Sequence, residues 1–268
     1  MSEDILLWLL LGAIQGLAEW LPISSKTQVM LFGMARLGLS PAEAFSTGLA
    51  LQGGTTLAAI YAFRHDVANL ARALPHVLSE EGDQVVELRI LAIMTAITGI
   101  VGLPLLFAFR VLIVTLNIGT ATLLTGLALL FTASMLRLRG KGSRGRRPSL
   151  QDGILGGFAQ SLSVLPGISR SGITLALFGF RGLGSEESFR LSFLASIPAT
   201  LGSSMLELFF DRALLELSGT VLLISAGVSL IVGFGAIRLL LKVSSKAGMD
   251  LLCAAFGILA VAWSLLSH

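Results

Sequence analysis

Cysteine is almost missing from this chain: there is one in 268 residues, Cys253, set inside a long apolar run. That excludes a disulfide framework and a cysteine-based metal site, and leaves Cys253 as a packing residue. Histidine is scarce as well. His65, His76 and His268 fall in predicted loops or at the tail, where an imidazole is ordinarily just solvated. Charge is the largest deficit: 13% of residues are Asp, Glu, Lys or Arg, against 54% hydrophobic, whereas a soluble globular domain carries about 25% charged residues. With a mean hydropathy of +0.86, the chain reads as an integral membrane protein.

A spanning helix needs about 20 mostly apolar residues. Six segments qualify, at roughly 42–63, 90–109, 112–136, 186–209, 217–241 and 248–267. Two further apolar stretches, about 5–21 and 153–165, are too short to cross, and each runs into a proline-containing, serine-rich motif. Both read as re-entrant segments. A signal peptide at the start is disfavoured, because Glu3 and Asp4 stand where positive charge belongs and no small-residue cleavage site follows. The expectation is that the N-terminus is retained.

What charge there is has a pattern. Six of the nineteen lysines and arginines lie in "RLRGKGSRGRRPS", residues 137–149. A cytoplasmic loop beside a membrane accounts for them without invoking nucleic acid. With that loop inside, Arg64, Arg72 and Arg89 also fall inside and residue 110 outside. Arg181, Arg190, Arg238, Lys242 and Lys246 return inside, leaving the 210–216 loop, with Asp211, Arg212 and Glu216, outside.

Sliding the chain against itself by 144 positions sets "LPISSKT" (21–27) on "LPGISRS" (165–171), so that Pro22 meets Pro166, Ser25 meets Ser169 and Lys26 meets Arg170. The same offset sets 42–57 on 186–201, matching Glu43 with Glu187, Phe45 with Phe189 and Thr56 with Thr200. Three spans separate the two motifs, an odd number, so the second copy enters the membrane from the opposite face. The expected fold is an all-α integral membrane protein with six transmembrane helices, two re-entrant helical segments and an inverted-topology repeat. It forms one polytopic domain over 1–268, whose repeats, about 1–136 and 150–268, are joined by the basic loop 137–149. In such folds the broken elements of the two halves meet near the midplane and build a ligand site.

The motifs carry the chemistry for an anion. A guanidinium within a membrane costs on the order of 2.5–3.5 kcal/mol on insertion scales, so Arg170 needs a cavity and a partner. Gly167 and Gly172 permit tight turning at the start of an apolar helix, whose N–H groups can face an anion. Ser169 and Ser171 add hydroxyls, and "GLAEWLPISSKTQ" adds Lys26, Ser24, Ser25 and the carboxylate of Glu19. The plainer alternative is an ion pair between Arg170 and Glu19 with the serines as helix caps. Two cations, four hydroxyls and one acid describe an anion site better.

These residues resemble the undecaprenyl-diphosphate phosphatases of the bacitracin-resistance type, through "EWLPISS" (19–25), the Gln-Gly pair of "LALQGGTTLA" (49–58), "LPGISRSG" (165–172) and "SFRLSFLASIPATLG" (188–202). The resemblance implies a cell-membrane hydrolase that converts a polyprenyl diphosphate to its monophosphate. Carried onto this chain, it makes Glu19, Ser25 and Arg170 catalytic, with Ser25 as nucleophile. Ser24, Lys26, Gln28, Ser169, Ser171 and Gly172 would hold phosphate, supported by Gln15, Thr27 and Gln52. It allows a divalent cation, Mg2+ or Ca2+, with Glu19 as base, metal ligand or activator of water; no organic cofactor is implied. Its partners would be the prenyl lipid and the bilayer, with no nucleic acid, and a homo-oligomer is permitted.

The family pattern E-G-x-x-E-[FW]-L-P-[VI]-S-S-[TS]-G-H is not kept throughout. Gln15 replaces the first acid, Lys26 and Thr27 a small pair, and Gln28 the histidine. Loss of proton-transfer groups leaves a second reading open: a carrier or flippase that binds a polyprenyl phosphate without hydrolysing it.

Overall fold

The computed structural model describes residues 2–78, 82–138, 145–210, 219–243 and 248–266. Asp211, Arg212, Glu216, Lys246, His268 and residues 139–144 of the basic loop lie outside the described residues. Within them the chain is helical, with no strand. In order come α1 (Ser2–Ala18), α2 (Ser25–Arg36), α3 (Pro41–Ala62), α4 (Arg64–Ala73) and a single 3-10 turn (Leu74–His76). Then follow α5 (Asp83–Ile113), α6 (Ile118–Leu138), α7 (Leu150–Leu162), α8 (Arg170–Phe180), α9 (Ser185–Phe210), α10 (Gly219–Val243) and α11 (Met249–Leu266).

Five of these, α5, α6, α9, α10 and α11, are long and apolar enough to cross a membrane. The stretch expected to form the first span is α3, which has the length at 22 residues but less apolarity, because it buries Ser46, Thr47, Gln52, Thr55 and Thr56. Its start is well specified: Ser40 and Glu43 form a reciprocal capping box around Pro41.

Two local expectations are corrected. A break was expected at residue 110, yet α5 runs on to Ile113, and the charge of Arg110 is accommodated within the helix by pairing with the buried carboxylate of Glu207 in α9. His65 was expected in a loop; it sits in α4, exposed, while His76 lies in the adjoining 3-10 turn.

The short helices are inserted between the long ones. α1 lies on α10, α7 lies on α5, α6 pairs with α11, and α3 packs on both α9 and α10. Small residues make the close approach possible, as expected where lipid supplies no hydrophobic drive between helices. A Cβ on Gly12 would sit 2.3 Å from the Ser225 carbonyl oxygen, so α1 and α10 touch backbone to backbone. Hydroxyls then bond across the seams: Ser225 donates to the Trp8 carbonyl at 2.9 Å and Ser229 to that of Leu51 at 3.1 Å. At the centre, Thr56 of α3 donates to the hydroxyl of Thr200 of α9 at 2.7 Å.

The described end of the basic loop is not a loose tether. Arg146 reaches Asp152 through both carboxylate oxygens, at 2.7 and 2.8 Å, and Arg181 joins them at 2.8 Å. Burial would raise the Asp152 pKa, but these contacts and those from Ser149 outweigh it and hold the carboxyl below its ordinary value. The stability this node contributes is therefore present above the ordinary carboxylate range and lost as pH falls through the lowered value.

Candidate active site

The two motifs occupy the turns between α1 and α2 and between α7 and α8. In the first, Pro22 cannot continue a helix, and the chain reaches α2 through Ser24 in the left-handed region, at φ 60° and ψ 79°. A non-glycine residue held there costs about 1–3 kcal/mol, which the surroundings must offset. The Trp20 ring anchors this turn from below, edge-on to Phe193 at 5.1 Å between centroids. In the second motif Gly167 adopts φ +79°, where its missing Cβ would meet the Thr125 backbone at 2.7 Å.

The turns interlock. The Thr27 hydroxyl accepts from the Gly167 N–H at 2.9 Å, and the Ser169 and Ser171 hydroxyls lie 3.4 and 3.3 Å from the Leu21 carbonyl. Ser169 also caps α8 by accepting from the Gly172 N–H. Thus α2 and α8 begin beside one another, and Ser25 and Lys26 at the start of one and Arg170 at the start of the other line the same cavity.

Between the turns is a narrow cavity of about 90 Å³, lined by Glu19, Ser24, Ser25, Lys26, Ser169 and Arg170 on its motif side. The Ser25 hydroxyl donates to Glu19 Oε2, which also accepts from the Gln15 amide at 2.7 Å. Glu19 Oε1 accepts from Arg170 Nη2 at 2.8 Å. The ion pair set out above as the plainer alternative therefore exists, but it engages only part of the guanidinium: Arg170 Nη1 is buried without a hydrogen-bond partner among the described residues. With Lys26 in the same wall, the cavity holds two cations and one carboxylate, a net positive charge suited to an anion.

The model of the family described as bacitracin resistance protein BacA matches residues 8–263. The chain belongs to this family. It is 38% identical over 273 residues to an undecaprenyl-diphosphatase of Saccharolobus solfataricus, covering 98% of this chain and 96% of that protein. It is 38% identical over 265 residues to one of Methanococcoides burtonii, covering 94% and 96%. A third, from Methanothrix thermoacetophila, is 35% identical over 262 residues, covering 97% and 96%.

Not every residue assigned by resemblance reaches the cavity of this BacA family member. Gln52 lines it, whereas Gln15, Thr27, Gln28, Ser171 and Gly172 do not. Gln28, at the position of the family histidine, donates to the Ile23 carbonyl at 2.9 Å and so braces the first turn. Cys253 is buried as expected of a packing residue, and its sulfur lies 2.9 Å from the Pro22 carbonyl, bracing the same turn. Residues that sequence reasoning missed complete the far wall: Thr98, Gln160, Ser163, Thr200 and Ser203. Ser203 donates to the Gln52 side-chain oxygen at 3.0 Å, fixing that amide. Only Thr200 had a signal, through its match to Thr56 at offset 144.

A divalent cation needs several oxygen ligands. Among the described residues no three His, Cys, Asp or Glu side chains are grouped to supply them. Glu19 is the cavity's only carboxylate, and both its oxygens are already engaged by Arg170, Ser25 and Gln15. These residues do not build a metal centre of their own.

Proposed function

We propose that this protein hydrolyses a long-chain polyprenyl diphosphate of the undecaprenyl type to the monophosphate, within the cell membrane, recycling the lipid that carries envelope glycans. The observation that carries the reading is the Ser25 hydroxyl donating to Glu19 while Arg170 holds the opposite carboxylate oxygen. This is a nucleophile with its base and the group that orients the base. Ser25 Oγ attacks the terminal phosphorus and gives its proton to Glu19. The bond from that phosphorus to the bridging oxygen breaks, and the lipid monophosphate departs with the electron pair. Water then opens the phosphoserine and regenerates Ser25, so the sum is diphosphate plus water to monophosphate plus inorganic phosphate. Phosphoryl transfer depends mostly on positioning and charge neutralisation; Arg170 Nη1, Lys26 and the first-turn amides of α2 and α8 serve the second. The carrier reading finds no support, since the relatives that match over nearly the whole chain are named as diphosphatases.

Purified protein in detergent is expected to release inorganic phosphate from a C55 prenyl diphosphate and none from the monophosphate. A phosphomolybdate assay checks this, and binding without release would return the carrier reading.

The same proposal includes the arrangement in the bilayer: six spans and two re-entrant helices in one domain, as inverted repeats of about 1–136 and 150–268. Helices α3 and α9 start 144 positions apart, at Pro41 and Ser185, and the Thr56–Thr200 hydrogen bond joins positions 144 apart. The contacts of α1 on α10 and of α7 on α5 have the same exchange symmetry. Cys253 is the sole and a fully buried thiol, so introduced cysteines can be read cleanly. Arg147→Cys is expected to react with an impermeant maleimide only from the cytoplasmic side, and Thr115→Cys only from outside. Labelling of both from one side would remove the inverted arrangement.

A further inference from the structure

Lys26 stands out among the buried charges. It is 7% exposed, it lines the cavity beside Arg170 and Ser25, and its ammonium makes no hydrogen bond or ion pair among the described residues. Its position is enforced by packing: a Cβ on Gly48 would sit 3.0 Å from the Lys26 carbonyl oxygen, so the first turn of α2 lies flat on α3. An ammonium held by no hydrogen bond is expensive to bury, and Glu19, the one carboxylate in this wall among the described residues, is already bonded to Arg170, Ser25 and Gln15. Arg170 is half-committed in the same sense, with Nη2 on Glu19 and Nη1 unpartnered. The unmet donors of the two cations therefore await a common acceptor richer in negative charge than Glu19.

A dication would not be drawn to this spot. The fixed charges sum to a net positive value, Glu19 is already engaged, and like charges a few ångströms apart repel by several kcal/mol even at an effective dielectric of about 20. A diphosphate, with up to three negative charges and many acceptor oxygens, meets both unmet needs at once. We propose that the Lys26 ammonium fills the place of a divalent cation, so that this site binds a prenyl diphosphate without metal. The proposal rests on the diphosphate reading of the cavity but not on hydrolysis there.

Farnesyl diphosphate serves as a soluble probe, with affinity measured by titration calorimetry on the full chain in detergent, after chelation by EDTA and again with excess Mg2+. The parent is expected to bind equally in both, within about threefold. Lys26→Met keeps the length and packing of the side chain without the charge. It should bind roughly tenfold or more weakly in EDTA, the loss of one charge-assisted contact, and regain most of that in Mg2+, because the wall is then open to a dication. Lys26→Arg should keep EDTA binding near the parent's. Monodisperse elution and an unchanged melting point of each variant separate binding from folding. Parent binding that collapses on chelation, or Lys26→Met binding that matches the parent in EDTA, overturns the proposal. A parent that binds in EDTA yet releases no phosphate under any condition would instead sink the hydrolase reading and leave the role of Lys26 standing.

Discussion

Glu19→Gln should stop phosphate release while leaving diphosphate binding nearly intact. Among the described residues Glu19 is the only carboxylate lining the cavity and the group to which the Ser25 hydroxyl donates, whereas Gln15 and Gln28 cannot exchange a proton and the three histidines of the chain lie at exposed positions or beyond the described residues. An amide keeps the shape and can still accept from Arg170, but it cannot act as base. Loss of a positioned general base lowers turnover by roughly 10²–10⁴-fold. The expected result is a fall of that size in kcat with KM changed by only a few-fold, read by inorganic phosphate release under saturating substrate. If kcat persists and KM alone rises, Glu19 is a positioning partner of Arg170 and the proton goes elsewhere.

Arg170→Lys should be nearly as damaging although it conserves charge. One guanidinium nitrogen holds Glu19 at 2.8 Å while the other is left for the ligand. The donors of a lysine all sit on one nitrogen and cannot span the two positions that Nη1 and Nη2 occupy. Either Glu19 loses its orienting contact or the phosphate loses its donor. Removing one preorganised donor of this kind costs about 10²–10³-fold, or 2.7–4 kcal/mol. The check is kcat/KM with the diphosphate, together with competition by a prenyl monophosphate, which should weaken in parallel. A variant that binds and turns over like the parent would reduce Arg170 to a fold-stabilising ion pair.

Much of this site was legible because polarity is rare in the chain. In 268 residues with 13% charged, a glutamate, a lysine and an arginine inside apolar surroundings are conspicuous, and the offset of 144 ties Lys26 to Arg170. The far wall was not legible for the opposite reason. Thr98 donates to the Met94 carbonyl and Ser203 to that of Thr200, as hydroxyls in helices ordinarily do. A threonine that is only satisfying its own helix looks the same in sequence as one that faces a cavity. Arg110 misled for another physical reason: it reads locally as the end of a span, and its partner Glu207 is 97 positions away. Gln28 shows the limit of reading a departure from a pattern as a site residue, since its amide is spent on the Ile23 backbone.

The interlocking of the two motif turns bears on how the molecule is made. Glu19 meets Arg170 only across 151 positions of chain, and α1 finds its packing partner still later, in α10. A ribosome delivers residues in order, so the first motif is made with Glu19 bonded to Gln15 and Ser25 of its own segment but still without Arg170. Until the second half arrives, that segment has the composition of a poor membrane helix, with Glu19 and Lys26 seven positions apart. Assembly of the pocket is thus a late event in biogenesis, because its walls are complete only when α7, α8 and α9 have joined α2 and α3.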